Sequence, residues 1–223
     1  MLLGRRTLVV IPAYNEEKYI GDVLRDVLRY VDRRDVLVVD DASSDRTYEI
    51  ASSFGVNVLR HEVNRGLGGA LRSGFNYAIE NGYDYVITFD GDGQHRGEWI
   101  PIIKEKVFSS GCDFCYGVRF GRFPFIKRVG NFLIDLMMVP FTGRLLRDTQ
   151  SGFRMIRVDL LRRMRFTSER YGISSELLYR AVKLGARICT VPIEAIYLDV
   201  KKGTNVRWGL HIAYEFLKVV SGK

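Results

Sequence analysis

The chain has 223 residues, of which 47% are hydrophobic and 27% charged, with three cysteines and a formal net charge of +8. A chain of this length and apolar content buries a substantial core as one domain, which excludes a disordered or fibrous class. The basicity is local: residues 119 to 170 hold twelve Arg or Lys against four acids, so the remainder is formally neutral. Such a surface faces either solvent or an anionic partner such as phosphates, nucleic acid or lipid.

Arg5 and Arg6 lead at once into a short strand-like run, 7–12, without the charged leader, apolar core and small-residue site of a secretory signal. The strand ends in IPAYNEE. A helix near 16–31 follows, in which Ile20, Val23, Leu24, Val27, Leu28 and Val31 form one apolar stripe. A strand at 36–40 ends in VVDDASSDRT, and a helix at 44–54 and a strand at 56–60 come next. NRGLGGALRSGF, 64 to 75, opens a helix at 67–81; it matches neither G-x-x-x-x-G-K-[ST] nor G-x-G-x-x-G, and Arg65 and Arg72 are its candidate ligand contacts. The strand at 84–90 then ends in FDGDGQH.

The second half is less regular. It reads as a strand at 113–118, an amphipathic helix at 126–140, a Gly-rich segment through 152, a helix at 173–184, a strand at 187–191 and a last helix from 207. Cys112-x-x-Cys115 has no second pair to complete a zinc site, so the thiols read as reduced core residues, as in a reducing cytoplasm. The longest apolar stretches, 132–142 and 208–220, are broken by Asp135, His211, Glu215 and Lys218 and fall short of the roughly 20 residues of a membrane-spanning helix. The expectation is a single domain over 1–223 without a transmembrane segment, split into a nucleotide-binding half (1–95) and an acceptor half (96–223).

Repeated β-α-β organisation with near-continuous Val/Ile/Leu strands predicts an α/β fold with a mostly parallel sheet covered on both faces, whose ligands bind at the strands' carboxyl ends. Tyr14, Glu16, Asp40, Asp41, Asp90 and Asp92 then converge on one edge. An acidic cleft repels nucleic acid but suits the base and ribose of a nucleotide, whose N–H and hydroxyls donate to carboxylates. Asp90 and Asp92, one residue apart, repel unless a cation lies between them, and a hard divalent ion such as Mg²⁺ or Mn²⁺ needs only one or two such ligands beside phosphate and water. Gly91 and Gly93 allow the tight turn.

The motifs VVIPAYNEE, VVDDASSDRT, NRGLGGALRSGF, FDGDGQH, GVRFG, DTQSGFRM and SSELLYRAVKLGARICTVPI, in this order and spacing across 7 to 200, resemble the family 2 glycosyltransferases of the GT-A fold, in particular the dolichol-phosphate mannose synthase and polyprenyl-phosphate glycosyltransferase branch. The resemblance implies a Rossmann-like nucleotide-diphospho-sugar transferase fold and inverting transfer of a hexose from a GDP- or UDP-linked sugar. It implies that Pro12, Tyr14, Glu16, Asp40 and Asp41 line the nucleoside pocket, and that Asp90, Asp92 and Gln94 hold Mg²⁺ or Mn²⁺ against the diphosphate. Arg119 and Arg128 would offset phosphate charge, and Asp148 with Gln150 through Gly152 would border the acceptor and donor sugar. The family's Gly-x-Ser-Lys after the last strand is replaced by KKGTNVR, which leaves Arg207 as a phosphate contact, with Lys201 and Lys202 as substitutes.

A polyprenyl phosphate acceptor is already nucleophilic at neutral pH and needs no strong base, since phosphate monoesters have a second pKa of about 6. A sugar hydroxyl acceptor would need a carboxylate base, for which Asp148 is the candidate. The basic excess favours the phosphate acceptor and peripheral contact with the cytoplasmic membrane face. The stripe Phe125, Val129, Phe132, Leu133, Leu136, Met137, Pro140 and the C-terminal stripe Gly209, Ile212, Ala213, Phe216, Leu217, Val220 would lie in a lipid interface, on the sheet, or against a second subunit. Rival classes fit less well. A dehalogenase-type phosphotransferase requires D-x-D-x-[TV] after the first strand, a nucleotidyltransferase needs a basic glycine-rich loop where IPAYNEE is acidic, and a nucleotide-sugar sensor has no need of every acidic motif.

Overall fold

β-Branched runs favour the pleated sheet, and apolar spacing of three and four favours helices laid against it. The computed structural model describes residues 4–121, 125–168, 172–194 and 206–221, with backbone alone at 125–128 and 206–212. In chain order the elements are β1 (Thr7–Ala13), α1 (Ile20–Val27), β2 (Val36–Asp40), α2 (Thr47–Ser53), β3 (Asn57–Arg60), α3 (Gly66–Glu80), β4 (Tyr85–Thr88) and α4 (Trp99–Ser110). The second half adds β5 (Phe114–Phe120), α5 (Phe125–Thr142), β6 (Arg154–Arg157), α6 (Val158–Arg162), α7 (Ile173–Lys183), β7 (Ile188–Glu194) and α8 (Val206–Ser221).

The strands form one sheet in the order β3-β2-β1-β4-β6-β5-β7. All neighbours are parallel except β6, which runs antiparallel to both β4 and β5. The expected mostly parallel α/β sheet is present. The winding direction changes between β1 and β4, and a crevice opens at their carboxyl ends, as at other topological switch points. Because β6 is reversed, its amino end meets the carboxyl ends of β1, β4 and β5. The DTQSG segment, 148–152, is thereby delivered to the edge that carries Asp90 and Arg119.

Apolar side chains on the two sheet faces form two cores. One joins Val10, Val39, Phe75, Tyr116, Ile156 and Leu177 beneath α3, α5, α6, α7 and α8; the other joins Ile11, Leu24, Val38, Ile87, Ile103 and Met155 beneath α1, α2 and α4. Helix α3 approaches β1 so closely that a Cβ on Gly74 would overlap Val10, which explains a glycine in mid-helix there.

Four elements depart from the sequence reading. Residues 96–112 and 153–163 carried no predicted element, yet α4, β6 and α6 lie there. Pro101 sits in the first turn of α4, where its missing N–H costs no helix bond. Strand β6 begins and ends in Arg, and Arg154 is nonetheless 1% exposed, a burial imposed by neighbours on both sides. Helix α1 is shorter than the predicted 16–31, because Tyr19 and Ile20 donate to the Glu16 carbonyl in a turn ahead of it.

The cysteines also differ from expectation. Cys112 and Cys189, 77 positions apart, form a disulfide, and Cys115 alone is a free thiol. The reduced-core reading failed because β5 and β7 become neighbours only through the fold, with Cys115 and Cys189 as register partners.

Among the described residues no helix is long and apolar enough to cross a membrane. On α5, Ile134, Asp135 and Met138 face inward, whereas Val129, Phe132, Leu133 and Leu136 are exposed. On α8, Phe216 is buried between Phe141 and Tyr179, while Tyr214 and Leu217 stay exposed. The described side chains of the two predicted stripes are thus divided between the core and an exposed apolar surface; those of Phe125 and Ile212, and Gly209, lie outside them.

Candidate active site

At the carboxyl end of β1, the loop is tied to the loop after β2. Asn15 N–H donates to Ser43 Oγ at 3.0 Å, Glu16 N–H to Thr47 Oγ1 at 2.8 Å, and Glu17 N–H to Asp45 Oδ2 at 3.1 Å. Asn15 and Ala42 both hold positive φ, at 55° and 62°, so this junction is shaped by cross-loop bonds at two strained positions. Pro12 is half-buried beneath it, Glu16 lies at its rim, and the Tyr14 ring is 49% exposed, free to lie against a flat ligand.

The two aspartates of β2 have different surroundings. Asp41 accepts from Arg65 N–H at 2.8 Å and Gly66 N–H at 2.7 Å, capping α3, and lies 2.7 Å from His61 Nδ1. His61 Nε2 is in turn 2.8 Å from Ser73 Oγ. Both Asp41 oxygens are therefore committed to the scaffold, where they accept from the first N–H groups of α3. Asp40 is 0% exposed, and its carboxylate accepts no hydrogen bond and faces Arg60 Nε at 3.2 Å. Arg60 also lies over the Tyr48 ring at 4.7 Å. The carboxylate with spare capacity on this side is Asp40. Arg65, whose backbone N–H binds Asp41, is exposed, and Arg72 is half-buried on α3.

Asp90 and Asp92 follow β4 directly. His95 Nε2 lies 3.0 Å from Asp90 Oδ2, and a T-shaped contact with Phe89 holds the ring in place. Withdrawal from water pushes the Asp90 carboxyl up, but the hydrogen bond and charge of His95, with Arg154 and Arg119, more than offset it and keep the group below the ordinary value of 3.8. Asp92 goes the other way: burial and then the Asp90 charge raise it. A positive ion between the two carboxylates removes that repulsion, and two hard oxygen ligands match Mg²⁺ or Mn²⁺. Gln94 donates its backbone N–H to Asp92 Oδ1 at 3.1 Å and its side-chain amide to Asp92 Oδ2, so it orients that carboxylate.

The glycines here make room for the turn. A Cβ on Gly91 would stand 3.0 Å from the Pro12 carbonyl oxygen, and one on Gly152 would overlap the Asp90 carboxylate. Gly152 also accepts from Thr88 Oγ1 at 2.6 Å through its carbonyl. The DTQSG motif and the Asp-Gly-Asp motif are therefore in direct contact.

Opposite them, Asp148 adopts φ 54° and accepts from Arg119 through the backbone N–H at 2.9 Å, Nε at 2.9 Å and Nη2 at 2.5 Å. This bidentate pair engages both Asp148 oxygens. Asp148 N–H and Thr149 N–H donate to the carboxylate of buried Asp135 at 2.8 and 3.0 Å, and Thr149 Oγ1 adds a third bond at 2.7 Å. Burial pushes the Asp135 carboxyl up against these three donors. Asp135→Asn turns one acceptor into a donor facing N–H groups, so stability should fall by about 2 kcal/mol, read as a Tm decrease of roughly 4–8 °C for a chain of this size. An unchanged Tm would show that the Asp148 turn does not depend on Asp135.

Gln150 donates to Ser175 Oγ at 2.8 Å, connecting this loop to the start of α7. The next residue, Glu176, is 0% exposed and accepts from Thr167 N–H at 3.0 Å, Ser168 N–H at 2.8 Å and Arg180 Nε at 2.7 Å. Burial pushes its carboxyl up, but bonds from Ser168, Arg180 and Thr167 prevail and hold it below 4.5. Its stabilisation is full above the ordinary Glu value and is lost as pH falls through the lower folded value. Glu176→Gln should therefore be less stable than the parent at neutral pH by about 1–3 kcal/mol, with the gap closing in acid. A gap that is constant across a pH series of denaturant melts would contradict the ionic role.

Five residues of this site had no role in the sequence reading: His61, His95, Asp135, Glu176 and Arg154. The first four are held by partners that the fold presents to them: His61 by Asp41 and Ser73, Asp135 by the turn at Asp148 and Thr149, Glu176 by Thr167, Ser168 and Arg180, and His95 by Asp90. Arg154 lies on β6 between Thr88 and Tyr116, with Nε and Nη2 buried and without a hydrogen-bond partner. Burial pushes its guanidinium down to about 10, with Asp90 pulling it back up. The side chains of Arg128 and Arg207, and residues Lys201 and Lys202, lie outside the described residues.

Carboxylates at the ends of β1, β2 and β4, an antiparallel strand bringing a further acid-arginine pair to the same edge, and a crevice at the switch point make up the architecture of GT-A nucleotide-sugar transferases. Its fold is shared with glucosyl-3-phosphoglycerate synthase from Mycobacterium tuberculosis. The structure with UDP superposes at TM-score 0.78 with 22% identity, covering 98% of this chain and 81% of that one; the structure with Mn²⁺, UDP-glucose and phosphoglyceric acid superposes at 0.77 with 20% identity over 98% and 80%. The family description "Glycosyl transferase family 2" matches residues 8–165, and the chain belongs to that family: it is a glycosyltransferase. Similar proteins include a UDP-N-acetylglucosamine–dolichyl-phosphate N-acetylglucosaminyltransferase of Methanococcus voltae, 32% identical over 96% of each chain. An undecaprenyl-phosphate mannosyltransferase of Micrococcus luteus is 33% identical over 97% of this chain and 99% of that one.

Proposed function

We propose that the enzyme transfers a hexose, with inversion, from a GDP- or UDP-linked sugar to the phosphate of a polyprenyl phosphate, at the surface of the cytoplasmic membrane. The observation that carries this reading is the engagement of Asp148. The only acid offered as a base for a sugar hydroxyl has both oxygens taken by Arg119, whereas a phosphate acceptor arrives already ionised and needs no base. The names of the Methanococcus voltae and Micrococcus luteus relatives, both polyprenyl-phosphate transferases, support the same acceptor.

The nucleoside would sit over the β1–β2 junction, with Tyr14 against the base and Pro12, Glu16 and Asp40 around it; Asp41 supports the pocket from beneath by holding α3. Asp90 and Asp92 would hold Mg²⁺ or Mn²⁺, with Gln94 aligning Asp92. When bound, such an ion supplies Lewis-acid neutralisation of the charge that develops on the leaving diphosphate. Arg119 places a fixed guanidinium on the acceptor side, where it offsets phosphate charge, and Asp148 fixes its direction. His95 keeps Asp90 in its ionised form, and Gly152 leaves that carboxylate the room a side chain would fill.

The exposed apolar side chains Val129, Phe132, Leu133 and Leu136 on α5, beside the basic excess of 119–170, suit an anionic lipid surface that also presents the acceptor. The test is incubation with GDP-mannose, UDP-glucose or UDP-N-acetylglucosamine, Mn²⁺, and polyprenyl phosphate in vesicles. A glycolipid product in one arm is expected, while transfer confined to soluble sugars would defeat the acceptor assignment.

A further inference from the structure

The edge of the sheet opposite the active site holds a second group of metal-competent side chains. The sulfurs of Cys112, Cys115 and Cys189 all lie within 4.8 Å of one another. Three different positions supply them: the turn before β5, β5 itself, and β7. Cys112 and Cys115 are 4% and 0% exposed, and Cys189 is half-buried. The Ser110 hydroxyl stands 3.0 Å from the Cys112 sulfur and 3.9 Å from that of Cys189, so an oxygen belongs to the same group. By sequence, Cys112-x-x-Cys115 is half a zinc motif; the register of β5 with β7 brings the third thiol to it.

We propose that the reduced form of this protein binds one zinc-type divalent cation through Cys112, Cys115 and Cys189, so that the same three sulfurs alternate between a disulfide and a metal site.

The geometry is close to what such an ion needs. Tetrahedral Zn–S bonds of about 2.3 Å place ligand sulfurs about 3.8 Å apart, so once the Cys112–Cys189 bond of about 2 Å is opened, each of those two sulfurs would move by about an ångström. The donors select the ion. Three thiolates beside buried apolar side chains are soft and exclude Mg²⁺. A monovalent ion such as Cu⁺ would leave a net charge of −2 among them, while a divalent ion leaves −1. Lys106 supplies a facing positive charge: burial pushes the Cys115 thiol up to about 12, and Lys106 acts against that shift. A divalent cation supplies the charge that makes three buried thiolates tolerable side by side.

Both steps balance. A dithiol reductant gives two electrons and two protons to the Cys112–Cys189 bond, producing two thiols and its own cyclic disulfide. The three thiols then release three protons to solvent as their sulfurs take up the cation.

The experiment uses the full chain, reduced with dithiothreitol and desalted anaerobically, with excess Mg²⁺ to saturate the carboxylate site. Cd²⁺ is titrated while thiolate-to-cadmium charge-transfer absorption is followed, a signal that carboxylates do not give, and Zn²⁺ is then added as competitor. One equivalent of Cd²⁺ should saturate the reduced protein, Zn²⁺ should displace it, and the oxidised protein should give no signal. Cys115→Ala should weaken binding by about tenfold or more in the reduced state while leaving the oxidised Tm near that of the parent, and Cys189→Ser, at a half-buried position, should weaken binding equally. Absence of the band in reduced protein, or equal affinity in parent and both variants, would overturn the site.

Discussion

Asp92→Asn is expected to lower kcat/KM for glycosyl transfer about a thousandfold, equivalent to about 4 kcal/mol of transition-state stabilisation. The substitution keeps an oxygen but removes a charge at the position where burial and Asp90 already make that charge unfavourable. The pair as built is a site under electrostatic tension, relieved by a divalent ion. Asp90→Asn should have a similar effect, since it also removes the partner of His95. Asp92→Asn should keep the parent's Tm within about 2 °C in the absence of metal, because like-charge repulsion is lost along with any favourable contact, whereas Asp90→Asn should lower it, since His95, Arg154 and Arg119 stabilise that charge. Titrating Mn²⁺ should show that higher concentrations recover part of the rate in neither case. Turnover within about threefold of the parent would end the metal assignment.

Arg119→Met should lower the rate by about 10²–10³-fold, the range for removing one preorganised donor from a site of developing charge. Asp148→Asn tests what Asp148 is for. If it orients Arg119, the amide keeps one acceptor and the loss is about tenfold, with an unaltered pH–rate profile near neutrality; removal of a general base would cost 10²–10⁴-fold, to order of magnitude, and flatten the profile. The double variant decides between them. Residues acting as a unit are not additive, so Arg119→Met with Asp148→Asn should be no slower than Arg119→Met alone. Multiplying losses would restore the base role and with it a hydroxyl acceptor. The bidentate geometry, the φ of 54° at Asp148 and the three bonds anchoring its turn to Asp135 all favour the orienting role.

The first half of the molecule was legible because its information is local. Val36–Asp40 reads as a strand from composition alone, Ile20 to Val27 reads as a helix face from spacing, and a parallel sheet then obliges every strand-end motif to one edge. Asp90 and Asp92 declared themselves through the cost of putting two acids at a strand end. The ordering of seven motifs indicated the family, which the match over residues 8–165 then established.

What lay beyond the sequence depends on partners brought from far along the chain. Nothing near Arg154 predicts a buried guanidinium, because its burial comes from Thr88 and Tyr116 on flanking strands. The roles of Asp41 and Asp40 were indistinguishable as adjacent letters, and separated only when Arg65, Gly66 and His61 claimed one of them. Cys112 and Cys189 could not be paired from spacing, since they lie 77 positions apart and meet only through the register of β5 against β7. Periodicity and charge are properties of neighbours in the chain and determine elements, edge and chemistry; the partner of each side chain is a property of neighbours in space, and burial in the assembled sheet decides it.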